Sequence, residues 1–305
     1  MPRSAHRRRK AARSSSGVDP ASTIEHTQLA ANGSTFSLQT SGPQSGRPIL
    51  LLHGFPQTAS CWRTILTELG AAKFRAIAPN QRGYSPGARP TDVSAYATDN
   101  LVADVLAMAD ALSLERFDLV GHDWGGLVSW IVAARHPERV RSLSVVSTPH
   151  PLALRLALSG GDPQQAKRTA PMEPFTRPDR PESLLLGSDG TGSGLRSLLE
   201  AGGLPAEVTD TYVKAFTQPG AMKAALNWFR AADSEIAADF PPLMVPTLYV
   251  WSTGDTALLR TAAESTALYV NGPYTFVVLD DVSHWIPETA PDQLIEPLIA
   301  HLQRT

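Results

Sequence analysis

Residues 117–126 read Phe117-Asp118-Leu119-Val120-Gly121-His122-Asp123-Trp124-Gly125-Gly126, an apolar run and a glycine-flanked bend, after which a helical pattern continues over 127–134. The stretch predicts a buried strand, a sharp turn and a helix, with a carboxylate at the apex of the turn. A bend of this kind lifts its central side chain above the end of a sheet, where many acyl-transfer enzymes carry a serine hydroxyl. An aspartate there changes the chemistry. A carboxylate that attacks saturated carbon leaves an alkyl ester on the protein, whereas a serine that attacks a carbonyl leaves an acyl ester. The substrates implied are epoxides or carbon–halogen bonds rather than peptides or simple esters.

Upstream of the bend, Pro48-Ile49-Leu50-Leu51-Leu52 is a short continuous apolar run that suits a strand buried on both faces of a parallel sheet. A helix is expected over 58–70, a strand over 74–78 and an amphipathic helix over 99–114, with Leu101, Val102, Val105, Leu106 and Ala109 on one stripe. Another strand is expected over 140–146. This alternation argues for an α/β fold, a mostly parallel sheet with helices on both faces. Asn32-Gly33, between periodic segments 23–30 and 35–40, predicts an antiparallel edge hairpin. The pattern breaks at Pro149-His150-Pro151, and strand signals are absent for about ninety residues up to Pro241-Pro242. That region reads as an inserted helical cap. Strands over 247–252 and 274–279 and a helix over 292–303 then resume the alternation. The organisation expected is a disordered basic leader at 1–20, a core of 21–149 and 241–305, and a helical cap at 150–240.

The 305 residues, 42% of them hydrophobic, suffice for one large domain with an insertion. The 27 basic and 29 acidic side chains are unevenly spread, because six bases and one acid lie in the first twenty residues. Without them the balance is 21 against 28, or −7, which offers no electrostatic footprint for nucleic acid. No apolar h-region follows the basic start, and no run approaches the eighteen or so apolar residues of a membrane span. A cytoplasmic protein is expected. The lone Cys61 reads as a buried hydrophobe. Neither metal-ligand spacing nor a phosphate loop occurs, so no metal or cofactor is expected. The partners expected are a small apolar organic substrate and water; the oligomeric state is left open.

The motifs fall into register along the chain: Leu52-His53-Gly54-Phe55-Pro56 after the first buried strand, Asp123 after a middle one, and Gly254-Asp255 and His284 after the last two. The ordered set resembles the α/β-hydrolase superfamily, and within it the epoxide hydrolases and haloalkane dehalogenases with an aspartate nucleophile. The resemblance spans about residues 45 to 300. It implies that Asp123 forms the ester, that His284 activates water, and that Asp255 orients the imidazole, with Asp280 and Asp281 as alternative orienters. It also implies an oxyanion hole made by the backbone N–H groups of Phe55 and Trp124. The Phe55-Pro56 bond is a candidate for cis, and His53 and His122 are expected to be structural hydrogen-bonding residues.

The cap departs from the family. Epoxide hydrolases usually carry two cap tyrosines that hydrogen-bond the epoxide oxygen. The segments that correspond here read Asn227-Trp228-Phe229-Arg230 and Pro171-Met172-Glu173-Pro174-Phe175, and phenylalanine donates no such bond. Trp228 and Phe229 are candidate substrate-contacting residues. Tyr212, Glu173 and His150 are alternative donors, with an outward helix face as the plainer reading of Tyr212. A halide leaves without a proton, so a dehalogenase tolerates Phe229. Fluoroacetate dehalogenases usually have Arg where Trp124 stands. A cofactor-independent epoxide hydrolase with altered cap chemistry is the leading expectation, a dehalogenase or other α/β-hydrolase the alternative, and a non-catalytic ligand-binding protein the third.

Overall fold

The computed structural model describes residues 23–232 and 240–305; the expected leader at 1–20 lies outside them. Eight strands form one sheet in the order β1-β2-β4-β3-β5-β6-β7-β8, where β1 is Glu25–Ala31, β2 Ser34–Ser41, β3 Pro48–Leu52, β4 Arg75–Pro79, β5 Phe117–His122, β6 Val140–Val146, β7 Thr247–Ser252 and β8 Tyr274–Leu279. The β1–β2 and β2–β4 pairs are antiparallel and the remaining pairs parallel. Asn32 and Gly33 both take positive φ, as a two-residue turn with the twist of a hairpin requires. All six residues of β5 and of β7 are buried, which is why these runs carry no polar alternation.

Helices α1 (Arg63–Ala71), α2 (Thr98–Ala111) and α3 (Trp124–Arg135) connect the first parallel strands. A single helix was expected over 58–70; instead a 3₁₀ turn, Ala59–Trp62, precedes α1, with Thr58 accepting from the Ser60 N–H. Between β6 and β7 lie α4 (Pro151–Leu156), α5 (Pro163–Thr169), α6 (Arg180–Leu186), α7 (Ser193–Ala201), α8 (Ala206–Phe216) and α9 (Ala221–Arg230). After β7 come α10 (Arg260–Ser265), α11 (Ile286–Thr289) and α12 (Pro291–Arg304). α1 packs with α12, and α2 with α3, so the sheet is covered on both faces.

The helices between β6 and β7 are tied to the sheet layer by specific bonds. The Trp228 indole donates to the Arg82 carbonyl at 2.8 Å, and the Gln165 side chain donates to the Ala257 carbonyl and accepts from the Leu259 N–H. Glu182 pairs with Arg230 at 2.8 Å within the helical layer, where both side chains are largely buried. Among the described residues no helix is long and apolar enough to cross a membrane.

Candidate active site

Asp123 stands between the end of β5 and the start of α3, with φ 52° and ψ −121°. A non-glycine residue in that region is strained by about 1–3 kcal/mol and is held there only by its surroundings. The close approach of α3 to the strands supplies the constraint. A Cβ on Gly125 would lie 2.5 Å from the His53 carbonyl oxygen, and one on Gly121 would lie 2.7 Å from the Gly125 carbonyl carbon. The two glycines therefore permit the bend that projects the aspartate.

The two oxygens of Asp123 are in different settings. Oδ1 accepts from the Phe55 N–H at 2.8 Å, whereas Oδ2 faces His284 Nε2 at 3.6 Å. On the far side of the ring, His284 Nδ1 meets Asp255 Oδ2 at 2.7 Å. The other Asp255 oxygen accepts from the Ala257 and Leu258 N–H groups at 2.8 and 2.9 Å, which fixes the carboxylate after β7. The chain thus brings together Asp123, Asp255 and His284 from three loops at the same end of the sheet. Asp255 is fully buried, while the side chains of His284 and Asp123 keep 12% and 21% of their exposure. Asp280 and Asp281 point to solvent.

Electrostatics couple the three groups. Burial penalises the charged form of His284, but Asp255 and Asp123 outweigh it, and the imidazole is raised well above its ordinary range. Burial likewise pushes the Asp123 carboxyl up, yet the His284 contact, the His284 and His122 charges and the Phe55 N–H bring it below the usual value. The two carboxyl groups that flank the ring thus favour its protonated form.

His53 and His122 lie beneath this pair, both buried and both pushed down to about 4 by desolvation. His53 accepts from the Gln81 N–H and contacts the Gly54 carbonyl. His122 lies between Gln57 Oε1 at 2.8 Å and the His284 carbonyl at 2.9 Å. These structural placements agree with the sequence reading, as do buried Cys61 and the cis Phe55-Pro56 bond.

The wall above Asp123 is aromatic. Phe229 packs edge-on against Phe55 and Trp124, with ring centroids 5.0 and 4.9 Å apart, and Phe175 packs against Phe55 and Phe229. Trp228 is buried one layer further in, 5.9 Å from Trp124. The alternative donors lie elsewhere. Tyr212 is fully buried rather than outward, and its hydroxyl is bound to Glu288 at 2.7 Å. Glu173 is exposed and paired with Arg177, and His150 is enclosed by Trp130, Phe240 and Tyr269. Glu288 and Gln57 had no signal in the sequence, because each reads as an ordinary polar residue beside a motif.

Comparison with known proteins agrees with this architecture. The α/β-hydrolase fold family matches residues 47–291. The chain is 34% identical to the AB hydrolase superfamily protein YfhM of Bacillus subtilis over 281 residues, covering 89% of this chain and 96% of that protein. It is 30% identical to Epoxide hydrolase A of Mycobacterium tuberculosis over 308 residues, covering 89% and 95%. A solved structure described among novel epoxide hydrolases from metagenomes of hot environments superposes with a TM-score of 0.81 at 29% identity, covering 92% of this chain and 99% of that one. The chain belongs to the α/β-hydrolase fold family. Within that family it falls in the epoxide hydrolase group, and it is a hydrolase.

Proposed function

We propose that the chain opens epoxides through an alkyl ester on Asp123 and hydrolyses that ester with water activated by His284. The observation that carries this reading is the division of labour between the Asp123 oxygens. With Oδ1 held by the Phe55 N–H, Oδ2, which faces His284 at 3.6 Å, is the oxygen that acts as nucleophile. It attacks a ring carbon, the carbon–oxygen bond breaks, and the leaving oxygen takes up a proton. Oδ1 becomes the ester carbonyl oxygen, already placed against a backbone donor. Water then attacks Cγ and gives its proton to His284. The negative charge collects on Oδ1, opposite the Phe55 N–H and, by motif, near that of Trp124. Collapse releases the alcohol, which takes the proton from His284, and leaves Asp123 as a carboxylic acid; that acid gives up one proton, matching the one taken up by the leaving oxygen at ring opening, and the carboxylate is restored. The sum is epoxide plus water giving a diol.

Esterification also prepares the second step. It removes the negative charge of Asp123 from one side of the imidazolium, so the ring loses its proton more readily and becomes a base. The aromatic wall of Phe55, Trp124, Phe175 and Phe229 favours an apolar organic substrate. That same wall favours a second reading, cleavage of carbon–halogen bonds, because neither Phe175 nor Phe229 can donate to a leaving oxygen and a halide needs no proton.

Mass spectrometry of His284→Gln tests the ester. Incubated with a substrate that the wild type turns over, the variant is expected to carry an adduct on Asp123. An epoxide adds its whole mass, whereas a haloalkane adds only its alkyl group and frees halide. An unmodified Asp123 with every turned-over substrate would overturn the ester mechanism.

A further inference from the structure

Glu288 lies on α11, four residues after His284, and the steps above make no use of it. Its Oε1 accepts from the Tyr212 hydroxyl of α8 at 2.7 Å and from the Gln57 amide at 2.7 Å. Its Oε2 is enclosed and has no partner among the described residues. Gln57, itself fully buried, uses its own oxygen on the Gly54 N–H at 2.8 Å and on His122 Nδ1 at 2.8 Å. The far nitrogen of His122 lies 2.9 Å from the His284 carbonyl, which also accepts from the Ser147 hydroxyl at 3.0 Å. Neutral His122 has one N–H and donates to only one of these two oxygens, so the connected path runs from the helical layer, through Glu288 and Gln57, to the turn that presents the Phe55 N–H, with His122 packed between Gln57 and the backbone of His284.

The orientation of the Gln57 amide is the vulnerable link. Its oxygen must face Gly54, so its nitrogen must find an acceptor on the other side, and Glu288 is that acceptor. A flipped amide would set NH₂ against an N–H donor and lose two bonds at once.

We propose that Glu288 is a positioning residue, whose carboxylate seats Tyr212 of the helical layer and locks Gln57, so that the oxyanion turn and the His284 loop are held in register. The proposal rests on the reading of Asp123 and His284 as the reacting pair. Bonds from an O–H and an N–H to a carboxylate are about twice as strong as those to a neutral acid. The lock therefore tightens as Glu288 ionises. Burial pushes this carboxyl up to about 7, so the change falls in the neutral range. The groups that act on it are Cys61 from the turn before α1, Tyr212 from α8, His122 through Gln57, and His284, while Arg63 of α1 and Glu207 of α8 line the same cavity. A cavity of about 400 Å³ is lined by Glu288, Tyr212 and Arg63 and not by Asp123.

Two measurements on Glu288→Gln test this. Its kcat is expected to fall about 10- to 100-fold at pH 8, the factor for a lost bond to a charged group. At pH 5.5 it should stay within about threefold of the wild type, a range smaller than one ordinary hydrogen bond. KM should change less than kcat. Tyr212→Phe should give a smaller loss, and the double variant should be no worse than Glu288→Gln alone. Equal losses at both pH values, or none, would overturn the positioning role. The second measurement does not depend on the chemistry. The amide resonances of Gly54 and Phe55 should titrate near neutral pH in the wild type and not in Glu288→Gln. Resonances that titrate alike in both proteins, or in neither, would overturn the proposal even if the ester reading stood. If His284→Gln shows no adduct but these amides still titrate through Glu288, the ester reading alone fails.

Discussion

Gly54→Ala should remove activity while leaving the fold in place. A Cβ at this position would lie 2.8 Å from Asp123 Cγ and closer still to Asp123 Cβ and Oδ1. Ordinary contacts of a Cβ begin at 3.4 Å, so Cγ must retreat by 3.4 − 2.8, about 0.6 Å, and the nearer atoms by more. Asp123 cannot yield by rotating its tip alone, since its Cβ is among the clashing atoms and its backbone is already strained at φ 52°. The displaced carboxylate would lose the 2.8 Å bond from the Phe55 N–H. Loss of one oxyanion donor costs about 10²–10³ in kcat, and a misplacement of about 1 Å costs about 10². These are two views of a single event, so the expected fall is about 10²–10³ rather than their product. The assay is turnover of a substrate found for the wild type, alongside circular dichroism and thermal unfolding. A natively folded variant with kcat within about twofold of the wild type would refute the placement of Gly54 against Asp123, since even one lost hydrogen bond exceeds that range.

Phe229→Tyr should raise epoxide turnover, by up to about 10²-fold if the missing donor limits ring opening; diol release measures it, and no rise combined with halide release from haloalkanes would favour carbon–halogen cleavage. Asp104→Ala should cost about 3–5 kcal/mol in urea unfolding, because it strands buried Arg82, which grips Asp104 at 2.6 and 2.7 Å, and frees Asn32; a loss below 1 kcal/mol would be inconsistent with a buried pair. Glu288 should also leave a mark on stability. Its carboxyl moves from 4.5 to about 7 on folding, so its contribution is fully present below pH 4.5 and is lost as pH rises through about 7. At most that is about 3 kcal/mol; chemical denaturation from pH 5 to 8 should therefore show a shallower decline in Glu288→Gln than in the wild type.

The frame was legible because it rests on local patterns. Run 48–52 is apolar throughout because both faces of that strand are covered, run 117–122 is buried along its whole length, and Asn32-Gly33 marks its turn by backbone preference alone. The meeting of Asp123 and His284 was legible for a similar reason, since each follows a strand at the same end of the sheet. The Glu288 path was not. Residues 57, 122, 212 and 288 share no spacing, and each belongs to a different element. Tyr212 illustrates the limit: helical periodicity left its face open, and only the packing of α8 against α11 puts its hydroxyl on a buried carboxyl instead of beside a leaving group. The start of the first helix was misplaced because Thr58 caps a 3₁₀ turn, a choice made by side-chain bonding at 58–60 that apolar spacing does not report.

Support for the two halves of the proposed reaction is unequal. Ester hydrolysis draws on backbone groups and on partners that are themselves fixed: the Phe55 N–H on Oδ1, and two N–H groups on Asp255 behind His284. Substitution of surface side chains cannot remove them. Ring opening depends on side chains of the helical layer, and there the chain offers Phe175 and Phe229. An aromatic cover strengthens every electrostatic contact beneath it by excluding water, which aids the carboxylate and its hole. It also withholds solvent as a proton source from the departing oxygen. The balance of these effects puts selectivity in the first step, where the stability of the leaving group decides which bonds the Asp123 carboxylate can open.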